Sequence, residues 1–93
     1  MTTLRLMLVD DHPLVRDGLR ARLEAAGGLA VVAEAGDAAQ ALVLAAQHQP
    51  DLVLMDVGMR GVNGIAATAA LLQASPGLRV LVAHTSAHSA DQP

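Results

Sequence analysis

The chain has no cysteine, no lysine and no phenylalanine, tyrosine or tryptophan among its 93 residues. Each absence excludes something. Without cysteine, the fold rests on neither a disulfide nor a thiolate metal site, and the redox compartment cannot be read from the sequence. Without aromatic rings, Leu, Val and Ala must fill the core, so it is built from many small side chains and has little margin. Positive charge comes only from arginines 5, 16, 20, 22, 60 and 79, against nine acids, for a net charge of −3. No basic stripe of the kind a nucleic acid needs is present, so direct nucleic-acid binding is not expected. Arg16, Arg20 and Arg22 fall in one predicted helix and read as its solvated face. No apolar run approaches the length needed to span a bilayer. The first apolar run follows a single Arg and ends in Asp-Asp, which is wrong for a signal peptide. At 53% hydrophobic the chain is too apolar to be disordered. The expectation is one soluble, cytoplasmic domain with no membrane partner.

What is there alternates. Leu4 to Val9 is a short apolar run that reads as a buried strand. Pro13 suits the first turn of a helix, because its missing N–H would be unpaired there in any case. Leu14, Val15, Gly18, Leu19 and Leu23 then recur at helical spacing until Gly27-Gly28. Leu29 to Glu34 predicts a second strand, and Asp37 is placed to cap a helix running from Ala38 to about His48. Pro50-Asp51 ends that helix. A third strand over 51–56 closes on Asp56, and Gly58, Gly61 and Gly64 mark an open loop. Helical spacing resumes through Ile65, Thr68, Ala69 and Leu72, and Leu78 to Ala83 predicts a fourth strand. Strands apolar on both faces, alternating with helices, indicate a parallel α/β sheet covered on both sides.

Ligands of such sheets sit at the carboxyl ends of the strands. Asp10, Asp11 and Asp56 all fall there. If the first and third strands are neighbours, three carboxylates share one small site. Two carboxylates about 4 Å apart repel by roughly 4 kcal/mol at an effective dielectric near 20. Water, protonation or a cation must offset that. A hard divalent ion does so, since Mg²⁺ takes carboxylate oxygens together with water and phosphate oxygens. With Mg²⁺ on Asp10 and Asp11, Asp56 would lie beside a concentrated positive charge, where a carboxylate oxygen can attack a phosphoryl group. The predicted chemistry is formation of an aspartyl phosphate. The competing reading is that strand-end acids merely keep the loops soluble.

The stretch VDDHPLVRDGL, followed by PDLVLMDVGMRGVNG, resembles the receiver domains of bacterial two-component response regulators, and DDHPLVRDGL resembles the NarL/FixJ class in particular. The resemblance covers residues 4 to about 84. It implies a flavodoxin-like (CheY-like) parallel sheet with helices on both faces. It further implies that Asp56 is the phospho-acceptor, taking its phosphoryl group from a sensor histidine kinase. Mg²⁺ would be held by Asp11, Asp56 and the backbone carbonyl of Gly58, with Asp10 acting mainly through water. In that family the receiver normally controls a DNA-binding output domain in transcription.

The chain departs from the pattern in three places. Met59-Arg60-Gly61 stands where the family usually has Met-Pro-Gly, which loosens the turn. His84 occupies the position of the switch Thr or Ser, with Thr85 next to it as the alternative. The lysine that contacts the phosphoryl group at the end of a fifth strand is absent. On this reading residues 1–93 are a single receiver domain truncated before the fifth strand, with no output domain. The fourth strand then becomes an apolar edge through which copies of the chain could associate. A phosphorylation-independent interaction module that keeps the scaffold without the switch is the alternative function. A haloacid-dehalogenase-type enzyme wants a second Asp two residues after the nucleophile, where Gly58 stands. A dinucleotide-binding module wants G-x-G-x-x-G, whereas the glycines here read G-x-x-G-x-x-G.

Overall fold

The computed structural model describes residues 3–58 and 64–83. Seven elements alternate as expected: β1 (Leu4–Val9), α1 (Pro13–Ala25), β2 (Leu29–Ala35), α2 (Ala38–His48), β3 (Leu52–Asp56), α3 (Gly64–Ala74) and β4 (Arg79–Ala83). Each boundary has a local cause. Pro13 opens α1 behind His12, which has extended backbone angles. Gly27 and Gly28 stop it with φ of 83° and 76°, a region open to glycine at little cost. Asp37 caps α2 through its side chain, which accepts the Gln40 N–H at 2.7 Å.

The strands form one parallel sheet in the order β2-β1-β3-β4. β1 and β3 are therefore neighbours, as the convergence of the three aspartates requires. β1 is central, and Leu6, Met7, Leu8 and Val9 are all at most 2% exposed. Such burial on both faces explains why β1 is a continuous apolar run rather than an alternating one. Met7, Val9, Val53 and Met55 point to one face and meet Ala41 and Ala45 of α2 and Ala67 and Leu71 of α3. Leu8 and Leu54 point the other way, toward Leu19 of α1. α1 packs on β1 and β2 and touches neither other helix.

Three expectations about helix faces need correction. Leu14 belongs to the periodic stripe of α1 yet is 85% exposed; Val15, Leu19 and Leu23 are the half-buried members. In α3 the buried residues are Gly64, Ala67 and Leu71, whereas Ile65 is 71% exposed. In α3 the apolar spacing was satisfied by two adjacent stripes, and the one that starts with Gly64 and Ala67 won because small side chains let the helix lie close to the sheet. Arg16 and Arg20 are not a solvated face: both pair with Glu34 of β2, and of the three arginines only Arg22 is left on the exposed side.

α2 ends at Gln49, whose N–H bonds the Ala45 carbonyl at 2.8 Å with φ 48° and ψ 61°. Gln49 is the one non-glycine residue with positive φ among the described residues. Pro50 follows and bars continuation of the helix. The left-handed conformation costs a residue with a Cβ on the order of 1 kcal/mol. Gln49→Gly should therefore raise unfolding free energy by about 0.5–1 kcal/mol, after the added flexibility of the unfolded chain is subtracted. Urea denaturation with an unchanged slope and a higher midpoint is the expected result. A lower midpoint would show that the Gln49 side chain contributes more than its backbone costs.

Candidate functional site: an acid cluster at the carboxyl end of the sheet

The register builds the site. Val9 of β1 lies opposite Met55 of β3, so one further residue on each strand sets Asp10 beside Asp56. The ladder continues past β1, where the Asp10 N–H donates to the Ala35 carbonyl at 2.9 Å. Likewise the Val57 N–H donates to the Ala83 carbonyl of β4 at 2.9 Å. Asp10 and Asp56 are thereby drawn into the interior, each 1% exposed, while Asp11 stays half-buried at the mouth.

The buried carboxylates accept hydrogen bonds from nearby backbone. Asp56 Oδ1 takes the Gly58 N–H at 2.8 Å. Asp10 Oδ1 takes the His12 N–H at 2.9 Å. Each is a two-residue loop that turns the chain at the strand end and fixes the side-chain rotamer. The contact seen for Gly58 is thus through its N–H.

His12 was not expected in the site. Its Nδ1 lies 2.8 Å from Asp11 Oδ1 and 3.3 Å from Asp10 Oδ1. Ligand atoms of Asp10, Asp11, His12 and Asp56 all fall within 4.8 Å of one another. The sequence signal was adjacency alone, because His12 follows the Asp pair directly and caps α1 with its backbone. Arg16 is a second addition: its NH1 donates to the Asp10 carbonyl at 2.7 Å. His84, Thr85 and the Met59-Arg60-Gly61 stretch lie outside the described residues.

Three carboxylates held this close form a hard oxygen donor set, which fits Mg²⁺. Asp11, partly open to solvent, also fits an ion that keeps several of its waters.

Residues 6–92 match the family described as the response regulator receiver domain. The chain belongs to that family. Among relatives, the receiver is 40% identical over 90 residues to the nitrate/nitrite response regulator protein NarP of Escherichia coli K12, covering 97% of this chain and 42% of NarP. It is 36% identical over 86 residues to NarL of the same strain, covering 92% of this chain and 40% of NarL. A crystal structure of a LuxR-family two-component response regulator from Aurantimonas sp. SI85-9A1 superposes with a TM-score of 0.85 at 44% identity, covering 97% of this chain and 64% of that one. These relatives place the receiver in the NarL/FixJ class. The chain spans less than half the length of the curated relatives it matches.

Gly64 brings the receiver's third helix against the acid-bearing strand. A Cβ added there would come within 2.9 Å of Val57 Cα and 3.1 Å of the Asp56 carbonyl oxygen. Those are backbone atoms, so relief requires moving α3 or the strand end. Gly64→Ala should cost about 1–3 kcal/mol by overpacking, although Ala is the better helix former. Gly18→Ala in α1 is the control, since nothing lies within 4 Å of its Cβ. That change should stabilise by roughly 0.5–1 kcal/mol. Thermal unfolding of both variants checks the pair, and equal shifts in the same direction would refute the packing argument.

Proposed function

We propose that this receiver accepts a phosphoryl group on Asp56 from a sensor histidine kinase, with Mg²⁺ held at the acid cluster. The observation that carries this reading is the buried Asp56 carboxylate at the carboxyl end of β3, within 4.8 Å of Asp10 and Asp11 ligand atoms. Asp11, Asp56 and the Gly58 backbone would hold the ion directly, with Asp10 acting through water. When bound, Mg²⁺ would neutralise the cluster and draw charge from the phosphoryl oxygens. The chain's own part is positional. The Gly58 N–H on Oδ1 orients the Asp56 carboxylate, and burial strips it of most competing water. An Asp56 oxygen forms the new O–P bond as the P–N bond to the kinase histidine breaks, and the imidazole departs with that electron pair. Acetyl phosphate can stand in for the kinase, with acetate as the leaving group.

In such a pathway the chain is a signalling module, and in the whole protein its state would govern a DNA-binding output domain in transcription. No helix among the described residues is long and apolar enough to cross a membrane.

Incubation with Mg²⁺ and acetyl phosphate should produce one phosphoryl adduct by intact mass. It should be lost on treatment with hydroxylamine, with EDTA present from the start, or with Asp56→Ala. A fully folded chain that forms no adduct would favour the phosphorylation-independent interaction module.

β4 supports a second property. It has no strand on its outer side among the described residues, and Leu81 and Val82 are 57% and 49% exposed there. An apolar edge of this kind is a template for pairing with another strand, so we propose that copies of this 93-residue chain associate through β4. Size-exclusion chromatography should show concentration-dependent growth in apparent mass, reversed by Leu81→Lys. A strictly monomeric profile up to high concentration would overturn this.

A further inference from the structure

We propose that Arg16, held by Glu34, is a positioning residue that presents the Asp10-Asp11 pair to its metal; the inference rests on the metal-dependent reading above. The Arg16 guanidinium spans two elements. NH1 donates to the Asp10 carbonyl at 2.7 Å, and Nε lies 3.3 Å from Glu34 Oε1 on β2. Its side chain is 21% exposed, so the pair is partly shielded from water. Glu34 is anchored in turn by Arg20, which also reaches Asp17.

Consider what fixes the turn from β1 into α1. The Asp10 N–H is tied to Ala35, the Asp10 side chain to the His12 N–H, and the Asp10 carbonyl to Arg16. The carbonyl of one residue and the N–H of the next share a rigid plane. Arg16 therefore sets the peptide plane from which Asp11 departs, and with it the direction of the Asp11 carboxylate. The first two ties are made by the strand ladder and by the tight turn. The third reaches from a helix back to the site, and Glu34 is the carboxylate paired with that helix side chain among the described residues. Gly36 leaves the room: a Cβ there would come within 3.1 Å of Arg16 NH1.

The sign of one measurement separates this role from simple electrostatics. Arg16 is a cation near a cation site, so removing it should tighten Mg²⁺ binding if charge alone mattered. Loss of positioning predicts the reverse. Partners that orient metal ligands typically contribute about 10- to 100-fold in affinity. Arg16→Gln should thus weaken Mg²⁺ binding by roughly tenfold, the low end of that range because the pair is partly exposed. Arg16→Lys keeps the charge but its ammonium cannot span both oxygens, so its affinity should fall between the two. Glu34→Gln should weaken binding in the same direction as Arg16→Gln.

The test is Mg²⁺ titration of the full chain by calorimetry, with thermal unfolding of each variant measured without metal. Weaker binding in the order wild type, Arg16→Lys, Arg16→Gln supports the inference. Binding that is unchanged or tightened in Arg16→Gln overturns it, whatever happens to the melting temperature. Wild-type chain that binds no Mg²⁺ overturns the metal-dependent reading and this inference together, so the two failures are told apart. If Arg16→Gln melts too low to titrate, Arg16→Lys decides: it keeps the charge, so weaker binding supports positioning and unchanged binding overturns it.

Discussion

Parallel pairing of β1 with β3 is the constraint on which everything else depends. It sets Asp10 and Asp56 side by side, and it does so by register rather than by attraction. The two carboxylates oppose the pairing. Their repulsion, of order a few kcal/mol at close range, is outweighed by the apolar ladder behind them: Leu6 to Val9 against Leu52 to Met55, with Leu52 and Leu54 half-buried and the rest buried. Each fully buried Leu, Val or Met side chain contributes about 1.5–3 kcal/mol. The sheet can therefore carry an unfavourable cluster at its end. Local N–H donors from His12 and Gly58 then lower the cost further. A site assembled in this way is poised for a cation, because the cation relieves a repulsion that folding has already imposed.

The lack of aromatic rings decides how the helices pack. α2 and α3 present Ala41, Ala45, Gly64 and Ala67 to the sheet, with Leu71 as the one large buried side chain. Small residues allow close approach, and close approach replaces bulk as the source of contact. At Gly64 the approach reaches the backbone of Asp56 and Val57. The position of α3 is consequently coupled to that of the candidate acceptor strand. A larger core side chain would have filled the same space but held the helix away from the site.

Most of the architecture was legible in the sequence, and the reasons are specific. The first three strands are apolar runs closed by Asp or Gly, the starts of α1 and α2 carry Pro13 and Asp37, and the order of alternation leaves few topologies. Bounds differ by a residue or so, as at Ala35 and Arg79. The aspartates were legible because all three end strands. The helix faces were harder. In α3 both Ile65-Ala69-Leu72 and Gly64-Ala67-Leu71 satisfy helical spacing, and hydrophobicity favours the wrong one. What selects the right one is the clearance above Val57, a tertiary quantity. Arg16 and Arg20 were read as solvated for a related reason: their partner Glu34 is on another element, and nothing local to α1 announces it. His12 was hidden by the same logic, since a histidine next to two aspartates gains meaning only when the turn folds its ring back on them.

The two edges of the sheet are treated unequally, and this bears on how the molecule behaves in company. β2, at one edge, has α1 and α2 packed on it, and it carries Glu34 tied to Arg16 and Arg20. Charged, side-chain-paired residues on an edge discourage a second strand from docking there. β4, at the other edge among the described residues, has no charge beyond Arg79 at its start, and Leu81 and Val82 point to opposite faces, both half open to water. An incoming strand would shield apolar surface on both faces at once while satisfying the outer row of backbone groups. The same ion pairs that protect β2 also steady the turn leading to Asp11. Protection of the β2 edge and orientation of the acid site are thus two consequences of a single network.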